Sequence, residues 1–143
     1  MKDSDSLILE ELYENLNIVW ARGGDIREVD GQCGYGVYCF PFANKAMLNY
    51  YTKNGEILYI IQPTSEVVDT RRHVETIIKY AKMQNIKCNS TDYYKQPFAL
   101  KAFMLNEYPN ASGYICPHKG EGIPTGIQAI FDIDKIDTEV YEM

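Results

Sequence analysis

Arg22-Gly23 closes a short apolar run, and Gly34-Tyr35-Gly36-Val37-Tyr38 follows after a polar stretch. Each of these residue types suits one part of the task of holding a charged heterocycle. A guanidinium is a planar fork that meets phosphate through parallel hydrogen bonds. A glycine lets a ligand come close to the main chain. Aromatic faces, at Tyr38 and at one of Tyr50 or Tyr51, can hold a flat, electron-poor ring. The competing reading is packing. In a chain with 12 tyrosines, a strand tyrosine and two helix tyrosines also suit a core, and Arg22 also suits the surface end of a strand.

Other chemistries are poorly served. The histidines, His73 and His118, sit far apart in the chain and support no Ser/His/Asp or Cys/His arrangement. Cys33, Cys39, Cys88 and Cys116 contain no Cys-x-x-Cys pair and no regular spacing, so they read as reduced, mostly buried thiols rather than metal ligands. Gly31, Gly34 and Gly36 do not make a dinucleotide fingerprint, because no helix follows them directly. A net charge of −6 argues against binding nucleic acid by general phosphate neutralisation.

The elements that must position these residues can be read from periodicity. Leu7 to Leu16 has a helical apolar stripe behind Ser4, Asp5 and Ser6 as candidate caps. Ile18 to Ala21 reads as a strand, and Gly23 to Gln32 as a loop on the rim of a cleft. Tyr35 to Phe40 has strand composition, and Ala43, Ala46, Met47 and Tyr50 recur on one helix face, closed by Gly55 as a left-handed cap. Leu58 to Gln62 and Val67-Val68 read as short strands. Arg71 to Gln84 is the clearest helix, with Val74, Ile77, Ile78 and Ala81 on one side. Lys87 to Gln96 reads as a loop before a helix that starts at Pro97 and runs through Phe98, Ala102 and Leu105. Gly120 to Gly126 reads as a flexible loop before a last strand ending at Phe131-Asp132. Short strands and helices without regular alternation predict an α+β fold.

The order of strand, Gly-Tyr-Gly hairpin, strand, tyrosine-ended helix and strand from Ile18 to Pro63 resembles the N-terminal half of the ADP-ribosyltransferase-like fold. Ser112-Gly113-Tyr114-Ile115 and Ile127-Gln128-Ala129-Ile130-Phe131-Asp132 resemble its last two strands. The resemblance implies two small half-sheets that form an NAD+ cleft flanked by helices. It also implies transfer of ADP-ribose from NAD+, as substrate, to a macromolecular target with release of nicotinamide. It assigns Arg22 to phosphate or ribose, Gly23 to the carboxamide, Gly36 on the motif strand to cofactor binding, and Tyr38 with Tyr50 or Tyr51 to the ring. The family's glutamate at the start of the last strand has no acidic match here, since Ile127 or Gln128 stands there. Gln128 could hydrogen-bond the ribose, and Glu121 could swing in from the preceding loop. The alternative is a catalytically silent member that binds a nucleotide or a partner. An RNA 2′-phosphotransferase on the same fold would need a basic cleft, which this chain does not signal.

The 143 residues suit one domain spanning residues 1–143. The chain is 45% hydrophobic and 24% charged, ordinary globular material without the ~18 to 20 apolar residues of a membrane span. Acidic residues flank the apolar run near the N-terminus, the wrong pattern for a secretory signal, so a cytoplasmic location is expected. The expected partners are NAD+ and a protein acceptor rather than nucleic acid, with no membrane.

Overall fold

The computed structural model describes residues 18–120 and 123–141. The helix expected over Leu7 to Leu16 lies outside them. In chain order the described elements are β1 (Trp20–Gly23), β2 (Val29–Gly31), β3 (Gly34–Pro41), α1 (Lys45–Lys53), β4 (Leu58–Pro63), β5 (Val67–Asp69), α2 (Val74–Met83), α3 (Pro97–Glu107), β6 (Gly113–Gly120), β7 (Ile123–Phe131) and β8 (Ile136–Val140). The strands form one sheet in the order β5-β6-β7-β3-β1-β4-β8, with β2 paired to the start of β3. Every pair is antiparallel except β5 with β6. A parallel pair needs a long crossover, and the segment carrying α2 and α3 supplies it. The architecture is α+β, with a mostly antiparallel sheet.

The sheet curls so that its two ends share one core. Trp20, Ile61 and Ile136 from one end pack with Ile115, Ile127 and Val67 from the other. Trp20 meets Phe131 edge to face, with ring centroids 5.8 Å apart. Burying a phenylalanine as fully as Phe131 contributes roughly 1.5–3 kcal/mol. Strand alternation divides β3 between two environments. Val37 and Cys39 face this core, while Tyr38 and Phe40 face the helices.

The helices cover that second face at its two ends. Helix α1 packs Met47, Leu48 and Tyr51 over Ala21, Phe40 and Leu58, and the Asn44 side chain caps it by accepting from the Met47 N–H at 3.3 Å. Its inward face is therefore one position away from the stripe through Ala43, Ala46 and Tyr50, and Tyr50 is 61% exposed. Gly55 takes the expected left-handed conformation, φ +72°. Helices α2 and α3 cover the other end through Ile77, Ala81, Ala99, Leu100 and Phe103. Phe98 and Leu105 point outward, because the sheet lies against the face that carries Ala99 and Phe103.

Four further segments depart from expectation. The polar stretch before Gln32 contains β2. The loop over Lys87 to Gln96 includes a single helical turn, Tyr93–Lys95, with Tyr93 and Tyr94 buried. The glycine-rich run after Lys119 is not a long loop, because β6 reaches Gly120 and β7 begins at Ile123, with those two residues paired. Residues 136–140 add an edge strand, β8, beyond the strand expected to be last.

The turn between β2 and β3 is held from inside the molecule. The Cys33 N–H donates to the Tyr38 hydroxyl at 3.2 Å, and that hydroxyl donates to the Gly34 carbonyl at 2.5 Å. The Tyr114 hydroxyl donates to the Cys33 carbonyl at 2.6 Å. Gly34 has φ +119° and lies where a Cβ would collide with the Tyr114 hydroxyl. Gly34→Ala should therefore cost about 3 kcal/mol or more, combining backbone strain with a blocked hydroxyl. Gly55→Ala, in open space, should cost only about 1–2 kcal/mol. Urea unfolding checks this pair, and equal shifts in midpoint would contradict the clamp.

Candidate functional site

Among the described residues no helix covers the second face of the sheet between α1 and the α2–α3 pair, and a cavity of about 180 Å³ opens there. Arg22 comes from the end of β1, Tyr38 and Phe40 from β3, Tyr51 from α1, His118 from β6 and Gln128 from β7. Antiparallel register explains the meeting. Tyr38 pairs with Ile130 across β3 and β7, and Cys116 pairs with Gln128 across β6 and β7. Residues two apart share a face, so Gln128 and His118 join Tyr38 on the helix side.

The Arg22 guanidinium is fixed by main-chain carbonyls. Nη1 donates to Tyr38 O at 2.8 Å and Nε donates to Asp25 O at 3.0 Å. No carboxylate of the described residues pairs with it, and its remaining N–H donors have no partner among the described residues. Tyr38 is half-buried, and its ring orientation is set by the turn its hydroxyl holds. Tyr51 stacks on Phe40, with centroids 5.5 Å apart and planes 11° from parallel. It also covers Gly23, where a Cβ would meet the Tyr51 ring.

The sequence-derived residues thus divide. Arg22, Tyr38, Tyr51 and Gln128 line one cavity. Tyr50 does not, and stands edge-on to Tyr51 at 5.2 Å. Gly23 pairs with Leu58 in the β1–β4 ladder and gives its open side to Tyr51. Gly36 is packed against the Ile130 side chain and the Phe131 carbonyl, away from the cavity. Glu121 lies outside the described residues.

Electrostatically the cavity is a neutral aromatic recess with one fixed cation. Burial pushes the Tyr38 phenol up to about 12, so it remains a protonated donor across the physiological range. Burial raises Tyr51 too, with the Arg22 charge partly offsetting it. The Cys39 thiol behind the recess is raised to about 12 for the same reasons. Burial lowers His118, the Gln128 side chain opposes that shift, and its Nε2 is out of solvent with no hydrogen-bond partner.

His118 is the residue that sequence reasoning passed over. No sequence signal placed it there, because His118 shares a face with Gln128 only through a register shift between His118 and Gly120. A larger cavity, about 510 Å³, lies between α3 and the start of β3. Its lining mixes exposed Tyr35, Phe98 and Leu105 with charged Glu28, Asp30, Lys101, Asp132 and Lys135, and it holds none of the four residues that the smaller cavity brings together.

A depressed imidazole means that the unfolded chain binds the proton more readily than the folded one. His118 should thus favour folding above its ordinary value of about 6.5 and lose that contribution as pH falls through its lower folded value. Proton NMR should show one histidine titrating below 6.5, removed in His118→Gln. A His118 signal titrating above 6.5 would contradict the burial. Comparison with protein-family models, with curated proteins and with solved structures finds no match for this chain.

Proposed function

We propose that the cavity holds the nicotinamide end of NAD+ and that the chain transfers ADP-ribose to a macromolecular acceptor, on a fold of the ADP-ribosyltransferase-like type. The observation that carries this reading is the convergence of Arg22, Tyr38, Tyr51 and Gln128, chosen from sequence and contributed by four separate elements, on one recess. A recess of about 180 Å³ is small beside the ~300–1,000 Å³ of sites that enclose larger ligands. It suits one ring and its amide, with the rest of the dinucleotide running out past Arg22.

In this reading Arg22 meets the pyrophosphate with its free donors, and Tyr38 and Tyr51 border the ring. The reaction breaks the bond between C1′ of the ribose and the nicotinamide nitrogen, and the electron pair leaves with nicotinamide. The acceptor attacks C1′ and releases a proton. The transition state resembles the oxocarbenium ion of glycoside cleavage. Gln128 can hydrogen-bond the ribose 2′-hydroxyl but brings no negative charge to the reacting carbon.

That last feature supports a second reading, in which the site binds NAD+ or a related nucleotide without turnover. No carboxylate lines the recess among the described residues. Chromatography of free nicotinamide and mass analysis of labelled protein, after mixing the chain with NAD+ and a lysate, separates the two. Release with labelling is the expected result. NAD+ binding without release, with turnover gained in Gln128→Glu, would replace the first reading by the second. Arg22→Gln should weaken NAD+ binding about 10- to 100-fold, the scale of a hydrogen-bonded charge. Unchanged affinity would remove Arg22 from the site.

A further inference from the structure

Cys33 and Cys116 come from distant parts of the chain and meet behind Gln128. The Gln128 amide Nε2 donates to Cys33 Sγ at 3.4 Å. Gln128 is directly opposite Cys116 in the β6–β7 ladder, and directly opposed side chains on one face are neighbours. Tyr114, two residues before Cys116 on the same face, holds the Cys33 carbonyl at 2.6 Å. Both thiols belong to one buried cluster, and the interaction between them lowers Cys33 and raises Cys116. The Thr70 hydroxyl donates to Cys116 Sγ at 3.8 Å. We propose that Cys33 and Cys116 form a dithiol that a low-molecular-weight disulfide, such as oxidised glutathione, converts into an intramolecular disulfide.

The two thiols have different surroundings, which divides the work. Cys33 is lowered by its interaction with Cys116, by the Lys95 charge and by the Gln128 amide, against burial. It also lies on the tight turn beside exposed Gln32, where a small opening of the hairpin end reaches it. Cys116 is fully buried in β6 and is raised well above the ordinary thiol value by that burial. Cys33 is thus the attacking thiol and Cys116 the resolving one.

The exchange balances. The Cys33 thiolate attacks one sulfur of the glutathione disulfide, the sulfur–sulfur bond breaks, and one glutathione leaves as thiolate and takes up the proton Cys33 released. Cys116 then attacks the Cys33 sulfur, displacing the second glutathione, which takes the Cys116 proton. The protein loses two electrons and two protons, and the oxidised glutathione gains them. Closing the bond draws the turn at residues 31–34 toward β6 and removes the thiol that accepts from Gln128. Formation of the bond does not depend on what the cavity binds.

The test uses the full chain, treated with oxidised glutathione, alkylated in denaturant while still oxidised, and digested for mass spectrometry. The expected product is a peptide pair joined through Cys33 and Cys116, lighter by two hydrogens and separated by dithiothreitol, with Cys39 and Cys88 alkylated. Cys116→Ser should stop at glutathione attached to Cys33. Alkylation of both Cys33 and Cys116, or glutathione retained on Cys33 of the unaltered chain, would overturn the proposal. Because the peptide map of the unaltered chain decides the matter, a variant that fails to fold leaves the test intact.

Discussion

Two tyrosine hydroxyls hold the turn on which the fold and the site both rest. A buried peptide group must find a partner, and the turn between β2 and β3 places Cys33 and Gly34 where water does not serve them. Tyr38 satisfies the Cys33 N–H and the Gly34 carbonyl, and Tyr114 satisfies the Cys33 carbonyl. The geometry leaves no room for side chains at Gly31, which faces the Tyr38 hydroxyl, or at Gly34, which faces the Tyr114 hydroxyl. The start of β3 is thereby set against β7, and the Tyr38 ring is set in orientation. A ring held this way is preorganised, so a ligand resting on it does not bear the cost of ordering it.

The same constraint shapes the recess beside it. Arg22 is tied to the carbonyl of Tyr38, so the cation and the ring are linked through one residue. Burial keeps the phenols protonated and disfavours charge on His118, which leaves Arg22 as the fixed charge among the described lining residues. In the proposed reading this recess takes an aromatic group next to an anion. It also explains why the missing carboxylate matters, since the existing polar groups can orient a ribose but cannot balance positive charge developing on it.

Local chemistry was legible in the sequence wherever one element decided the outcome. Gly55 adopted its left-handed conformation and Pro97 opened α3. The strand character of β3, β4 and β5 was clear from composition. What was not legible depended on neighbours distant in the chain. Helix α1 turned Tyr51 inward and Tyr50 outward because Gly23 and Phe40 offered a flat seat for one ring. Helix α3 exposed Phe98 and Leu105 because Ala99, Leu100 and Phe103 fit the sheet more closely. β2 and β8 were missed because charged residues hide short edge strands, and each is defined by its partner, β3 or β4. His118 was missed because its relation to Gln128 exists only in the register of the β6–β7 hairpin. Gly23 and Gly36, assigned to ligand contact from motif resemblance, use their lack of a side chain to admit Tyr51 and β7.

The central claim is that this small recess, rather than the larger cavity by α3, receives the nicotinamide end of NAD+. Titration of isotope-labelled protein with NAD+, followed by two-dimensional NMR, tests it most directly. The account predicts saturable shifts of the Arg22 Nε, Gln128 side-chain amide and His118 ring signals, with Lys101 and Leu105 unmoved. Shifts confined to Tyr35, Phe98 and Leu105, or none at millimolar NAD+, would contradict it.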